Sequence, residues 1–217
     1  MNPKDLAKAI DHTLLTPNVT VNEVKQLCKE AIEYGFAAVC VPPYFVKEAV
    51  KGLEDYPIKV ATVIGFPMGY SATPAKVEEV KRAIDEGIDE IDVVVNICAI
   101  KEGNWSYVRN DIDSMTRAAH LKGKIIKVIF EMGLLETEEI TRLCQICKEV
   151  DVNYIKTSTG VNGMPATVDM VKMLKAQVGK EVKIKASAGI RTYEDAIQLI
   201  NAGANRLGTS AGTKIVS

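Results

Sequence analysis

The chain has no unbroken apolar run near the ~18–20 residues that a membrane-spanning helix needs. Its opening stretch, MNPKDLAKAIDHTLL, has no apolar signal core and enters an amphipathic pattern at once, so a cytoplasmic protein is expected. An excess of charge of one sign is also missing. Twenty-seven basic against 28 acidic side chains leave a net charge of −1. That argues against a broad basic face for nucleic acid, and no membrane partner is expected either. Histidine is scarce, with only His12 and His120, too few for a histidine-rich metal centre. The five cysteines, Cys28, Cys40, Cys98, Cys144 and Cys147, are odd in number and irregular in spacing, unlike a disulfide framework. They read as reduced thiols. Cys144 and Cys147 have the spacing of a redox or zinc pair. They lie in a helix-periodic stretch with no second pair or nearby histidine, which makes them core residues. No G-x-G-x-x-G follows the first strand, which removes the usual dinucleotide fingerprint. No Pro/Gly/Ser-rich linker divides the chain, so a single domain over 1–217 is expected.

What is present is an alternation. Short apolar, β-branched runs at 37–41, 58–64, 90–95, 125–131, 153–157, 182–186 and 205–208 have the length of buried strands. An eighth is expected at 9–14. Helical stretches at 21–34, 74–86, 136–150, 167–178 and 192–201 separate them. The first stops at Gly35, and the second is expected to take Thr73 as its N-cap and to stop at Gly87. Strand–helix repeats imply a parallel sheet with helices outside, and eight of them favour a closed (β/α)8 barrel, here with a short N-terminal helix.

Charged residues inside barrel strands are then informative. Asp92 sits among Ile91, Val93 and Val94, where an unpaired carboxylate is expensive. Lys156 ends an apolar segment before a glycine turn. Lys183 and Lys185 share one strand parity, and Lys185 is nearer the C-terminal end, where barrel enzymes place their chemistry. Any one such lysine reads as a strand-end cation reaching solvent. Two lysines and an aspartate on three strands read differently. Ammonium groups crowded in a partly dry site repel, so one is kept as a neutral amine. A neutral amine attacks a carbonyl carbon to form a Schiff base, while the other lysine and the carboxylate move protons. That set suits carbon–carbon bond cleavage or formation beside a carbonyl. Gly189 after the seventh strand, Gly208 to Ser210 after the eighth, and Gly160 after the Lys156 strand open turns of the kind that cradle phosphate, although each alone reads as a tight turn.

The same residues carry a resemblance. IDHTLL at 10–15, VCV at 39–41, GFPMG at 65–69, EIDVVVN at 90–96, KVIFE at 127–131, YIKTSTG at 154–160, KIKASAGIRT at 183–192 and RLGTS at 206–210 recur in this order in the deoxyribose-phosphate aldolases, which the chain resembles nearly end to end. The resemblance implies a class I aldolase acting on a phosphorylated sugar and aldehydes, without metal or other cofactor, and commonly a homodimer or homotetramer. By motif it implies that Lys156 forms the Schiff base and that Lys185 favours its uncharged amine. It makes Asp92 the acid/base carboxylate, with Asp11 and Thr159 supporting the relay. Gly160, Gly189, Gly208 and Ser210 match phosphate-loop positions. The sequence departs from the family pattern at Pro42, at Met132-Gly133, at Val161 and at Ala188, which stands where a second glycine is usual before Gly189.

Two rival readings are a metal-dependent aldolase and a non-catalytic phosphate-binding barrel. His12, beside Asp11, is expected to orient the site rather than hold a metal, and His120 is expected at the surface. A mere binder has no use for two lysines and an aspartate in barrel strands.

Overall fold

The computed structural model describes residues 1–162 and 164–217. Eight parallel strands, β1 (Ile10–Thr13), β2 (Ala38–Val41), β3 (Lys59–Ile64), β4 (Glu90–Val94), β5 (Ile125–Ile129), β6 (Tyr154–Lys156), β7 (Lys183–Ser187) and β8 (Arg206–Thr209), pair in sequence order. β8 pairs back onto β1, with Asp11 beside Gly208, and so closes the barrel. Around it run α2 (Val21–Tyr34), α3 (Val46–Leu53), α4 (Thr73–Asp85), α6 (Trp105–His120), α7 (Thr137–Glu149), α8 (Val168–Val178), α9 (Tyr193–Ala202) and the short α10 (Gly212–Val216). The short α1 (Pro3–Ala7) precedes β1, and α5 (Ile97–Lys101) precedes α6. This is the (β/α)8 architecture that the alternation predicts, with strand ends shifted by a residue or two.

Local chemistry sets these boundaries. Thr20 and Glu23 form a capping box that starts α2, and Gly35 ends it at φ +68°. Thr192 and Asp195 do the same for the start of α9. α4 departs from expectation. Thr73 lies inside the helix, the cap position is Ala72, and the Thr73 hydroxyl instead donates to Asp111 on α6 at 2.7 Å.

Strand parity divides the interior in two. Ile91, Val93, Val128, Ile155, Ile184 and Leu207 face outward and join the helices in one continuous apolar core. The alternate residues face the lumen. On the β2–β3 side the lumen is apolar, with Cys40, Ala61 and Val63 packed beneath Leu15 and Phe66. On the other side it is charged. Cys144 and Cys147 lie in the outer core as free thiols, and burial pushes Cys144 up to about 12.

One buried ion pair lies outside the barrel wall. Lys76 on α4 donates to Asp111 at 2.5 Å and to the carbonyls of Gly69 and Val94, both at 3.1 Å. Its stem crosses Gly65 so closely that a Cβ there would sit 2.7 Å from Cδ. The pair pins the Gly65–Gly69 turn, which carries Phe66 to the barrel mouth.

Candidate active site

Asp92 is the centre of the lumen. Its Oδ1 accepts from Lys127 on β5 at 2.7 Å, and its Oδ2 accepts from both Lys156 at 2.9 Å and Lys185 at 2.8 Å. The two lysines expected to meet therefore flank a single oxygen atom rather than face each other directly. Lys185 also donates to Asp11. Asp11 accepts in turn from Arg206 on β8 at 2.5 Å. Arg206 reaches Glu90 at 3.3 Å, and Glu90 pairs with Lys127 at 2.7 Å. These side chains are buried; the most exposed of them, Arg206, shows 12% of its surface.

Burial alone would suppress charge here, but the neighbours outweigh it. For Asp92, burial opposes ionisation, yet Lys127, Lys156 and Lys185 hold its carboxyl well below the usual range. Asp11 is depressed too, with Lys185, Lys127 and Arg206 overcoming burial. Burial likewise opposes the ammonium groups of Lys127 and Lys185. Asp92 with Glu90 and Asp11 keeps the first above its ordinary value, and Asp11 with Asp92 keeps the second so.

Lys156 stands apart. An ammonium has three protons to donate, and the one carboxylate oxygen that Lys156 reaches is shared with Lys185. Among the described residues it is also the one lysine that lines a cleft of about 410 Å³ at the C-terminal end of the barrel. Phe66, Thr159, Gly160, Ala188 to Arg191 and Gly208 to Ser210 wall that cleft. The expected phosphate-loop residues Gly160, Gly189, Gly208 and Ser210 thus converge around the amine of Lys156. Gly208 has a second reason to be glycine: a Cβ there would meet Lys185 Cε at 3.0 Å. Gly189 turns at φ +75° against Pro165, and Ala188 beside it holds φ +79°, a costly conformation for a residue with a Cβ.

Thr159 lies at the cleft rim, and its hydroxyl donates to Glu131 rather than to Asp92 or a lysine. The backbone N–H of Thr159 donates to the same carboxylate at 3.3 Å, and Asn162 does so at 2.9 Å. Glu131 therefore ties the end of β5 to the loop after β6, and it was not expected from the sequence. Nor were Lys127, Glu90 and Arg206, although Lys127 breaks the apolar run IIKVI just as Asp92 breaks its own.

Two expectations about histidine are corrected. His12 faces outward, next in the strand to inward-facing Asp11; its Nε2 lies 2.7 Å from Glu30 on α2 and its ring packs on Phe36. It does not reach the site. His120 is half-buried, with Nε2 3.0 Å from the Asn153 side chain that also accepts from Ile126 N–H. Among the described residues, no group of three or more His, Cys, Asp or Glu is arranged to hold a metal.

Comparison with known proteins finds chains similar to this one over nearly its whole length. Residues 6–217 match the family model described as DeoC/LacD family aldolase. A deoxyribose-phosphate aldolase of Thermococcus kodakarensis is 48% identical, over 100% of this chain and 97% of its own. One from Caldicellulosiruptor saccharolyticus is 46% identical, over 100% and 99%. The solved structure of a deoxyribose phosphate aldolase from Aeropyrum pernix, described as tetrameric, superposes with a TM-score of 0.93 at 31% identity, covering 99% of this chain and 91% of that one.

Proposed function

This chain belongs to the DeoC/LacD family of aldolases, and from that premise we propose that it reversibly cleaves 2-deoxy-D-ribose 5-phosphate to D-glyceraldehyde 3-phosphate and acetaldehyde through a Schiff base on Lys156. One observation carries the reading: a lysine amine opens on a glycine-walled cleft while resting on a carboxylate oxygen that it shares with a second lysine.

Neutral Lys156 attacks C1 of the open-chain sugar, and the carbinolamine loses water to give an iminium ion. A base takes the proton of the C3 hydroxyl, and the C2–C3 bond breaks. Its electron pair flows into the iminium, leaving an enamine as glyceraldehyde 3-phosphate departs. Protonation of the enamine carbon and addition of water release acetaldehyde and restore the amine. Because the iminium receives the electrons, no metal or organic cofactor enters the sequence.

Asp92 serves as the proton-transfer carboxylate. Its anionic form is supported by the ammonium groups of Lys127 and Lys185, and by that of Lys156 until it gives up its proton, and its Oδ2 bridges Lys156 and Lys185. Asp11 fixes Lys185 in that position. Thr159 acts through its bond to Glu131, holding the loop that ends at Gly160 against the cleft. The turns at Gly160, Gly189, Gly208 and Ser210 receive the phosphate with their backbone N–H groups, and Arg191 at the rim adds a positive charge. The enzyme works in the cytoplasm as a homodimer or homotetramer. The tetrameric description of the Aeropyrum relative supports the latter, and light scattering on the purified protein decides it.

Borohydride reduction in the presence of acetaldehyde tests the chemistry. Mass spectrometry is expected to find one ethyl group per chain, on Lys156, with turnover insensitive to chelator. An unlabelled protein, or a label on another residue, refutes the assignment.

A further inference from the structure

The charged half of the lumen is a closed circuit. From Asp11 it runs to Lys185, Asp92, Lys127, Glu90, Arg206 and back to Asp11. Anion and cation alternate at every step, so the circuit is electrically neutral by itself. Lys156 is not a member of it. Attached among the described residues only at Asp92, Lys156 is the surplus cation of the cluster.

We infer that Glu90 and Arg206 are positioning residues that set how readily Lys156 releases its proton, by holding the net charge of this circuit at zero. The inference rests on the Schiff-base reading of Lys156. Both residues begin their strands, at the end of the barrel opposite the cleft, and neither is bonded to Lys156. Their influence travels through a buried, weakly screened lumen, where charges act over longer distances than in water.

The sign follows from the count. With Arg206 neutralised, the circuit carries one carboxylate too many, and the ammonium form of Lys156 restores balance. With Glu90 neutralised, the circuit carries one cation too many, and Lys156 sheds its proton more easily. Removing two residues that contact each other therefore pushes the same amine in opposite directions.

The other groups facing Lys156 leave the count unchanged. On β2, burial, with Asp92 adding to it, pushes the Cys40 thiol up to about 11, so it is uncharged near neutrality. β3 lines the lumen with the apolar Ala61 and Val63, and its first residue, Lys59, is exposed and paired with Asp89. Tyr154 on β6 has the Arg206 guanidinium 5.7 Å from its ring centre and the amine of Lys183 on β7 at 5.5 Å, and Lys183 is exposed, so water screens its charge. Glu131 at the rim spends its carboxylate on Thr159 and Asn162. The ionised forms of Asp11, Asp92, Lys127 and Lys185 are the ones their partners favour.

The test is the pH profile of kcat/KM for cleavage of 2-deoxyribose 5-phosphate, whose acid limb reports the free enzyme. Arg206→Gln is expected to move that limb up by about one pH unit, and Glu90→Gln to move it down by about as much. The double variant E90Q/R206Q and the charge-keeping Arg206→Lys are expected to stay on the parent limb. Where Arg206→Gln does not fold, Arg206→Met keeps the apolar stem over Tyr154 and predicts the same upward shift. Limbs that stay together, or that move the same way in both single variants, overturn the inference. Borohydride labelling by acetaldehyde runs in parallel. A parent not labelled on Lys156 sinks the Schiff-base reading itself, whereas a labelled parent with unsplit limbs sinks only the circuit.

Discussion

Lys76 and Lys156 are both buried lysines that touch an aspartate, and they are built for opposite ends. Lys76, between α4 and α6, spends its three protons on three acceptors: the Asp111 carboxylate and the carbonyls of Gly69 and Val94. It has no exposed surface and lines no described cavity. Among the described residues Lys156 has one acceptor, shared with a rival ammonium, and it opens on the cleft. A fully bonded, fully buried ammonium has no route to a substrate. An under-bonded one that opens on a cleft has such a route. Burial and a salt bridge thus do not distinguish structural from reactive lysines; the number of acceptors per donor and the access to a cavity do.

That contrast can be broken by substitution, beginning with the largest effect. Lys156→Leu is expected to lower turnover by about 10⁴-fold or more and to abolish borohydride labelling. Urea unfolding should show the fold retained, because Lys156 contributes only one shared bond. Full turnover in this variant would end the argument.

Lys185→Leu is expected to cost about 10²–10⁴-fold in turnover. It also frees Asp92 Oδ2 to bind the Lys156 ammonium alone. The sign is therefore toward the protonated amine, and the acid limb of the rate profile moves to higher pH. A limb that moves to lower pH contradicts the shared-oxygen geometry.

Lys76→Met inverts the pattern. It leaves the Asp111 carboxylate buried without its cation, which costs about 3–5 kcal/mol of stability. Below its lowered unfolding temperature the protein should still be labelled on Lys156 by acetaldehyde and borohydride. Loss of labelling in the folded variant would mean that the Gly65–Gly69 turn does more than wall the cleft.

Ala188→Gly should be the gentlest change. It relieves a left-handed backbone at φ +79° and adds freedom to the unfolded chain. These effects oppose each other, so stability shifts by less than about 1 kcal/mol. Removing the methyl opposite Gly160 is expected to raise kcat/KM severalfold for the phosphorylated sugar and to leave unphosphorylated deoxyribose unchanged.

Much of this is legible in the chain. The strand–helix alternation announces the barrel because each element's apolar period survives in the sequence. Asp92, Lys156 and Lys185 stand out because charge inside an apolar strand demands a partner. By the same rule Lys127, within IIKVI, and Glu90, two residues before Asp92, were open to view. Glu131 was not, since its importance comes from a left-handed turn at φ +54° that aims its carboxylate at the neighbouring loop. His12 departs from expectation because adjacency to Asp11 in a strand means the opposite face, not the same site.

The sequence by itself settled the kind of layer each strand builds and which residues share a side, because side chains in a strand alternate with a fixed period of two. It left open which of the two sides is the lumen. Only closure of β8 onto β1 decided that, bringing Asp11 from one end of the chain and Arg206 from the other into one dry space with Asp92. Charges far apart along a chain are independent in water, and they acquire a common balance only where a closed wall keeps water out.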